Sequence, residues 1–179
     1  MNFTTQYTDR QQEVIDLFAA TFTASEGAAE GTLIGSMVTT MLSKTAEEDL
    51  FAFLAVSDTG VQAAAMFTRM TYADDARSVF ILSPMAVSPD QQGKGVGQEL
   101  LRFALSHLRG NGVDVALTYG DINFYSRVGF AQIYEDTARA PLPLSYPHGW
   151  LGQNLRGGPL EPLKGAASCV SALRDPSLW

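Results

Sequence analysis

The stretch LSPMAVSPDQQGKGVGQELL, Leu82 to Leu101, changes its periodicity partway along. Its start completes an apolar run from Val79 to Val87, which predicts a strand, and Pro89 then opens a glycine-rich turn. Beyond the turn Gly97, Leu100, Leu101, Ala104, Leu105 and Leu108 fall on one helical face. Gly110, Asn111 and Gly112 stop that helix, and Val113 to Thr118 is short, apolar and β-branched enough to be the next strand. A strand, a helix and a strand in this order predict a parallel crossover.

The turn contains Q-x-x-G-x-G, written here Gln92, Gly93, Lys94, Gly95, Val96 and Gly97. Glycines ahead of a helix expose backbone N–H groups where the helix dipole is positive, and they leave room for a phosphate to approach. The order of residues is not that of a Walker A loop, because Lys94 lies between the glycines. It is not a dinucleotide fingerprint either, since Gln98 stands where G-x-G-x-x-G requires its last glycine.

Upstream, Phe3 to Tyr7 alternates weakly, which predicts a first strand, and Thr8 or Asp9 then caps a helix carrying Val14, Leu17, Phe18, Thr21 and Phe22 on one face. Ser25 to Gly31 reads as flexible, before a second helix with Ile34, Met37, Val38, Met41 and Leu42 aligned. Leu50 to Ser57 and Val61 to Met70, separated by Asp58, Thr59 and Gly60, predict a hairpin. Past Ala140 prolines and glycines punctuate the chain, with short strands expected near Leu151 to Leu155 and Ser168 to Leu173.

At 179 residues, with 46% apolar and 17% charged, the chain has enough apolar material for one folded domain and is unlike a disordered one. Twelve basic residues against nineteen acidic ones give a net charge of −7, which argues against nucleic acid as a partner. The lone Cys169 closes no internal disulfide, and with only His107 and His148 no metal site is expected. No export signal and no membrane-spanning run is read, so the expected location is cytoplasmic, without membrane attachment.

Three features together, Val87 to Pro89 leading into the loop, the helix after it, and Y-x-x-x-G-F at Tyr125 to Phe130, resemble the GNAT superfamily of acyl-CoA-dependent N-acetyltransferases. The strings LSPMAVSPDQQGKGVGQELL and YGDINFYSRVGF are similar to its YhbS-like bacterial subgroup. The resemblance implies an α/β fold: a mixed, mostly antiparallel central sheet with splayed middle strands, flanked by helices, plus a short Pro/Gly-rich C-terminal strand extension. A single domain over 1–179 would hold N-terminal helices and a hairpin (1–78), an acyl-CoA-binding and catalytic core (79–134) and the extension (135–179). It further implies direct transfer of an acetyl group from acetyl-CoA to a small-molecule or peptide amine, by a monomer or homodimer. A CoA-binding sensor or interaction module without turnover is the alternative reading.

By the same resemblance, the backbone of Met85, Ala86 and Val87 would pair with pantetheine, and Gln92, Gly93, Lys94, Gly95, Val96 and Gly97 would hold the pyrophosphate. An N–H of Met85 to Val87 would stabilise the developing oxyanion. Tyr125 is the implied general acid toward the leaving sulfur, since a phenol stays protonated at neutral pH. An alkyl ammonium must lose a proton before it attacks, and VFILSPMAV has no carboxylate to take it. Asp121 is the candidate base, with Glu26 and Glu30 as alternatives. Arg127 reads as a surface residue, Cys169 as a buried thiol, and Tyr146, His148 and Trp150 as one wall of an acceptor pocket if the tail covers the site.

Overall fold

A computed structural model describes residues 1–179. In chain order the elements are β1 (Asn2–Thr4), α1 (Gln11–Glu26), α2 (Ala28–Lys44), β2 (Leu50–Ser57), β3 (Gly60–Tyr72), β4 (Asp75–Val87), α3 (Val96–Gly110), β5 (Val115–Tyr119), α4 (Ile122–Tyr125), β6 (Ala131–Gln132), β7 (Trp150–Asn154) and β8 (Ala167–Ser168). The strands form an eight-stranded sheet in the order β1-β2-β3-β4-β5-β7-β6, with β8 on β3. Two-residue connections make β2, β3 and β4 an antiparallel meander. The crossover through α3 makes β4 and β5 parallel, and their ladder runs from Val79↔Val115 to Leu82↔Thr118. Beyond it β4 continues to Val87 through Pro84, which has no N–H to donate to a neighbouring strand. The mixed, mostly antiparallel sheet is the one expected.

Two compact units divide the chain, and β3, β4 and α3 give residues to both. The first holds residues 1–67 and 84–104. In it α1 and α2 bury the expected stripes, Val14, Leu17 and Phe18 from one and Ile34, Met37, Val38 and Met41 from the other. Phe53 anchors an aromatic cluster, edge-on to Phe67 at 5.7 Å and to Phe103 at 6.0 Å, and Phe103 also stacks on Phe3.

Three local expectations need correction in this unit. The first strand ends at Thr4, paired with Leu54, rather than reaching Tyr7. Neither Thr8 nor Asp9 caps α1; a 3-10 turn over Thr8–Arg10 leads in, and Arg10 instead pairs with Glu13 at 3.0 Å. Ser25 to Gly31 is no flexible linker, because α1 and α2 break only at Gly27, whose φ of 100° ends one helix and starts the next. The small residues serve close packing, and a Cβ on Gly31 would collide with Thr23.

The second unit comprises residues 68–83 and 105–179. Its core gathers Val79 to Leu82, Leu105, Leu108, Val115 to Leu117, Trp150 and Leu151. β7 pairs antiparallel with β5 along its whole length, from Val115↔Asn154 to Tyr119↔Trp150. The strand expected over Ser168 to Leu173 shrinks to Ala167–Ser168, which meets only the last two residues of β3. A 3-10 turn then buries Ala172 and Leu173, with Leu173 N–H donating to the Val170 carbonyl. No helix is long and apolar enough to cross a membrane.

At the start of β4 the Asp75 carboxylate accepts from Arg77 Nη2 (2.7 Å), Arg77 Nε (3.0 Å) and the Lys164 backbone N–H (3.2 Å). The Arg77 hydrogen bonds hold its carboxyl well below the usual carboxylate range, outweighing desolvation. Arg77 also donates to the carbonyls of Glu161 and Pro162, so the group fastens the C-terminal tail. Asp75→Asn is expected to lower stability by about 1–3 kcal/mol near pH 7, read by urea unfolding. A depressed folded pKa gives stability that is present above the unfolded value of about 3.9 and fades as pH falls below it, so the gap to wild type should narrow below about pH 4.

Candidate functional site

The sequence-predicted residues fall in two groups, one in each unit. In the first unit, β4 ends in Met85, Ala86 and Val87, and the glycine-rich loop follows through a 3-10 turn at Pro89–Gln91. Gln92 Nε2 donates to the Val87 carbonyl at 3.0 Å and so ties the loop to the strand end. Gly93 (φ 73°) and Gly95 (φ 83°) hold left-handed conformations that other residues adopt only with strain. A Cβ at either would meet no atom within 4 Å, so the space above the loop is open.

Glu99 N–H closes onto the Gly95 carbonyl at 3.1 Å, which leaves the N–H groups of Val96, Gly97 and Gln98 ahead of the helical ladder. Lys94 is exposed at the loop tip, whereas Val96 and Gly97 are buried and seat α3. Open space, N–H donors and the positive end of a 15-residue helix fit a diphosphate. Glu26 is exposed and Glu30 half-buried, on either side of the break between α1 and α2.

In the second unit, Asp121 caps α4, its Oδ1 accepting from Asn123 N (2.9 Å) and Asn123 Nδ2 (3.0 Å). That short helix carries Tyr125 on its last residue, and the Tyr125 backbone is fixed at both ends. Its N–H donates to the Asp121 carbonyl, and its carbonyl accepts from Phe130 N–H. Phe124 and Phe130 meet the Tyr125 ring edge-on at 5.0 and 5.8 Å. On the ring's remaining side lies Gly120, where a Cβ would come within 2.8 Å of Tyr125 Cε2.

The phenol has its pKa raised from the ordinary 10, chiefly by burial and further by the Asp121 charge, while a hydrogen bond with Thr118 works the other way. It is therefore protonated throughout the neutral range, as an acid must be. Asp121 and Tyr125 are thus brought together, and neither Thr118 nor Gly120 was singled out from the sequence. The one threonine in VALTY and a glycine directly after the strand were the available signals.

The structure does not bring Tyr146, His148 and Trp150 together as one wall. Tyr146 and His148 are exposed, 5.7 Å apart edge-on, and His148 Nδ1 lies 3.4 Å from Gln132 Nε2. Trp150 instead is fully buried, its Nε1 donating to the Ala138 carbonyl, because pairing with β5 turns it into the core. Cys169 is buried, and desolvation pushes its thiol up, which suits packing rather than nucleophilic attack. Arg127 is exposed, and no cluster of three His, Cys, Asp or Glu residues is arranged to hold a metal ion.

With this geometry, residues 48–132, a little under half of the chain, match the family described as acetyltransferase (GNAT) domain. Among individual proteins it is similar to the uncharacterized N-acetyltransferase YjhQ of Escherichia coli K12. The two are 34% identical over 110 residues, which is 59% of this chain and 60% of that relative. Two solved structures share its fold. One is a GNAT family acetyltransferase from Brucella melitensis in complex with acetyl-CoA, with a TM-score of 0.73 at 22% identity over 96% of both chains. The other is YhbS from Escherichia coli in complex with CoA, with a TM-score of 0.75 at 19% identity over 97% of this chain and 92% of that one.

The packing of Tyr125 on Gly120 yields a direct test. Gly120→Ala should cost about 1–3 kcal/mol by overpacking, measured by urea unfolding. The same substitution in a Tyr125→Ala background should cost under about 0.5 kcal/mol, because the ring it displaces is gone.

Proposed function

We propose that the protein moves an acetyl group from acetyl-CoA directly to the amine of a small molecule or peptide, in the cytoplasm. The observation that carries this reading is the loop Gln92–Gly97: two left-handed glycines under open space, ahead of the α3 N-terminus and directly after β4. In this reading the loop N–H groups and Lys94 bind the diphosphate, and the backbone of Met85, Ala86 and Val87 takes the pantetheine amides. Acetyl-CoA supplies the activated acyl group as a thioester.

A backbone N–H in Met85–Val87 stabilises the charge that develops on the thioester oxygen. Asp121 takes the proton that the attacking amine sheds, directly or through a water. Tyr125 gives its phenolic proton to the sulfur as the carbon–sulfur bond breaks. Support for that role comes from a phenol kept protonated by burial, in a Y-x-x-x-G-F motif, on a ring locked by Phe124, Phe130 and Gly120.

Calorimetric titration with acetyl-CoA, with ATP and NAD as controls, tests the donor site. Wild type should bind acetyl-CoA selectively and Gly95→Glu should not, since the new side chain puts strain and a carboxylate on the loop. Absence of acetyl-CoA binding by wild type would overturn the proposal.

Thiol release in the presence of spermidine, a lysine peptide, an aminoglycoside or hydroxylamine then tests turnover. Tyr125→Phe should lower kcat by about 10²-fold while leaving acetyl-CoA affinity within about twofold. Binding without turnover of any amine would favour a CoA-binding module instead.

A further inference from the structure

β5 ends in Tyr119, and the Gly120 that follows lies against the Tyr125 ring. The loop 145–149 is fastened to the same two residues. Gly120 N–H donates to the Gly149 carbonyl at 2.9 Å, and Tyr146 N–H donates to the Tyr119 phenol oxygen, which also lies 3.3 Å from Ser145 Oγ. Tyr119 is itself stacked on the buried Trp179, whose carbonyl accepts from Ser145 N–H at 3.1 Å. The fit is close, since a Cβ on Gly149 would stand 3.2 Å from the rings of Tyr119 and Tyr146 and 3.3 Å from the Gly120 carbonyl oxygen.

The backbone of this loop is held, yet the Tyr146 side chain is 62% exposed. A 3-10 turn over Pro147–Gly149, closed by Gly149 N–H on the Tyr146 carbonyl, brings the exposed His148 edge-on to Tyr146 at 5.7 Å. Gln132 Nε2, 3.4 Å from His148 Nδ1, steadies the second ring. Rings fixed through their backbone and open to solvent stack a flat body at small entropic cost. The segment APLPLSYPHGW, Ala140 to Trp150, has no Asp, Glu, Lys or Arg, so it offers no carboxylate to the further cations of a polyamine.

An amine attacking a thioester comes within about 3–3.5 Å of a carbon bonded to the leaving sulfur, and so arrives beside the group that protonates that sulfur. Resting on the reading of Tyr125 as that group, we propose that Tyr146 and His148 bind the body of the acceptor, that the acceptor is an arylalkylamine, and that Tyr119 is the positioning residue holding the pair. In the reaction the nitrogen–carbon bond forms as the carbon–sulfur bond breaks. Of the two protons the ammonium sheds, one replaces that given by Tyr125 to the sulfur, and the other leaves to solvent through Asp121.

Thiol release at saturating acetyl-CoA, with phenethylamine, butylamine and spermidine as acceptors, tests this. For wild type, kcat/KM should be at least about tenfold higher with phenethylamine than with either other amine. Tyr146→Ala, at an exposed position, should raise KM for phenethylamine about fivefold to tenfold and leave that for butylamine within about twofold, whereas Tyr146→Phe keeps the ring and the wild-type KM. Tyr119→Phe retains a ring to stack on Trp179 and loses the oxygen that takes the Tyr146 N–H. It should raise KM for phenethylamine about fivefold, the worth of one hydrogen bond, with kcat and acetyl-CoA affinity unchanged within about twofold. In a Tyr146→Ala background it should raise KM no further.

No preference of wild type for phenethylamine, or an unchanged KM in Tyr146→Ala, overturns the acceptor site and leaves acetyl transfer standing. An equal rise on Tyr119→Phe in both backgrounds, or a fall in kcat for every amine alike, overturns its positioning role. No turnover of any amine removes the acetyltransferase reading and this inference with it.

Discussion

Backbone hydrogen bonding between β4 and β5 has to stop somewhere, and it stops at Leu82 and Thr118. In a buried parallel sheet every carbonyl and N–H beyond that point needs another partner. Pro84 removes one donor from the strand, and the Thr118 hydroxyl satisfies the Leu82 carbonyl. The chain of β4 from Met85 to Val87 is thereby left extended and polar outside the ladder. An elongated amide-bearing arm such as pantetheine is the kind of ligand that pairs with backbone of this sort.

The loop after β4 meets a related constraint. A helix N-terminus carries donors that its own ladder cannot satisfy, and α3 presents them behind left-handed glycines with nothing above. The protein as a whole is acidic at −7, so in the proposed reading attraction of an anionic donor would rest on this local arrangement of N–H groups, the helix dipole and Lys94. The same net charge is compatible with an amine that arrives as a cation, although the acceptor's identity is set by a pocket and not by a sum.

The order β4, loop, α3 and β5 was legible in the sequence because the apolar period switches from strand to helix around the glycines between Pro89 and Gly97. Tyr125 stands out in the sequence through Y-x-x-x-G-F, the motif on which its proposed role rests. The break between α1 and α2 was not, since Gly27 to Gly31 has the composition of a loop whether it is loose or packed against Thr23. Trp150 read as a pocket wall because it follows Pro147 and Gly149; its burial depends on long-range pairing with Tyr119 in β5. Thr118 looked like one more β-branched strand residue. Its hydroxyl meets the Leu82 carbonyl only in the folded chain, since the two residues are 36 apart in sequence.

The central claim is that acetyl-CoA lies along the end of β4 and over the following loop. Titration of ¹⁵N-labelled protein with acetyl-CoA, followed by backbone amide NMR, tests it residue by residue. The account predicts the largest shifts at Ala86, Val87, Gly93, Gly95 and Gly97, saturating together. Saturable binding that leaves those amides unmoved would contradict it.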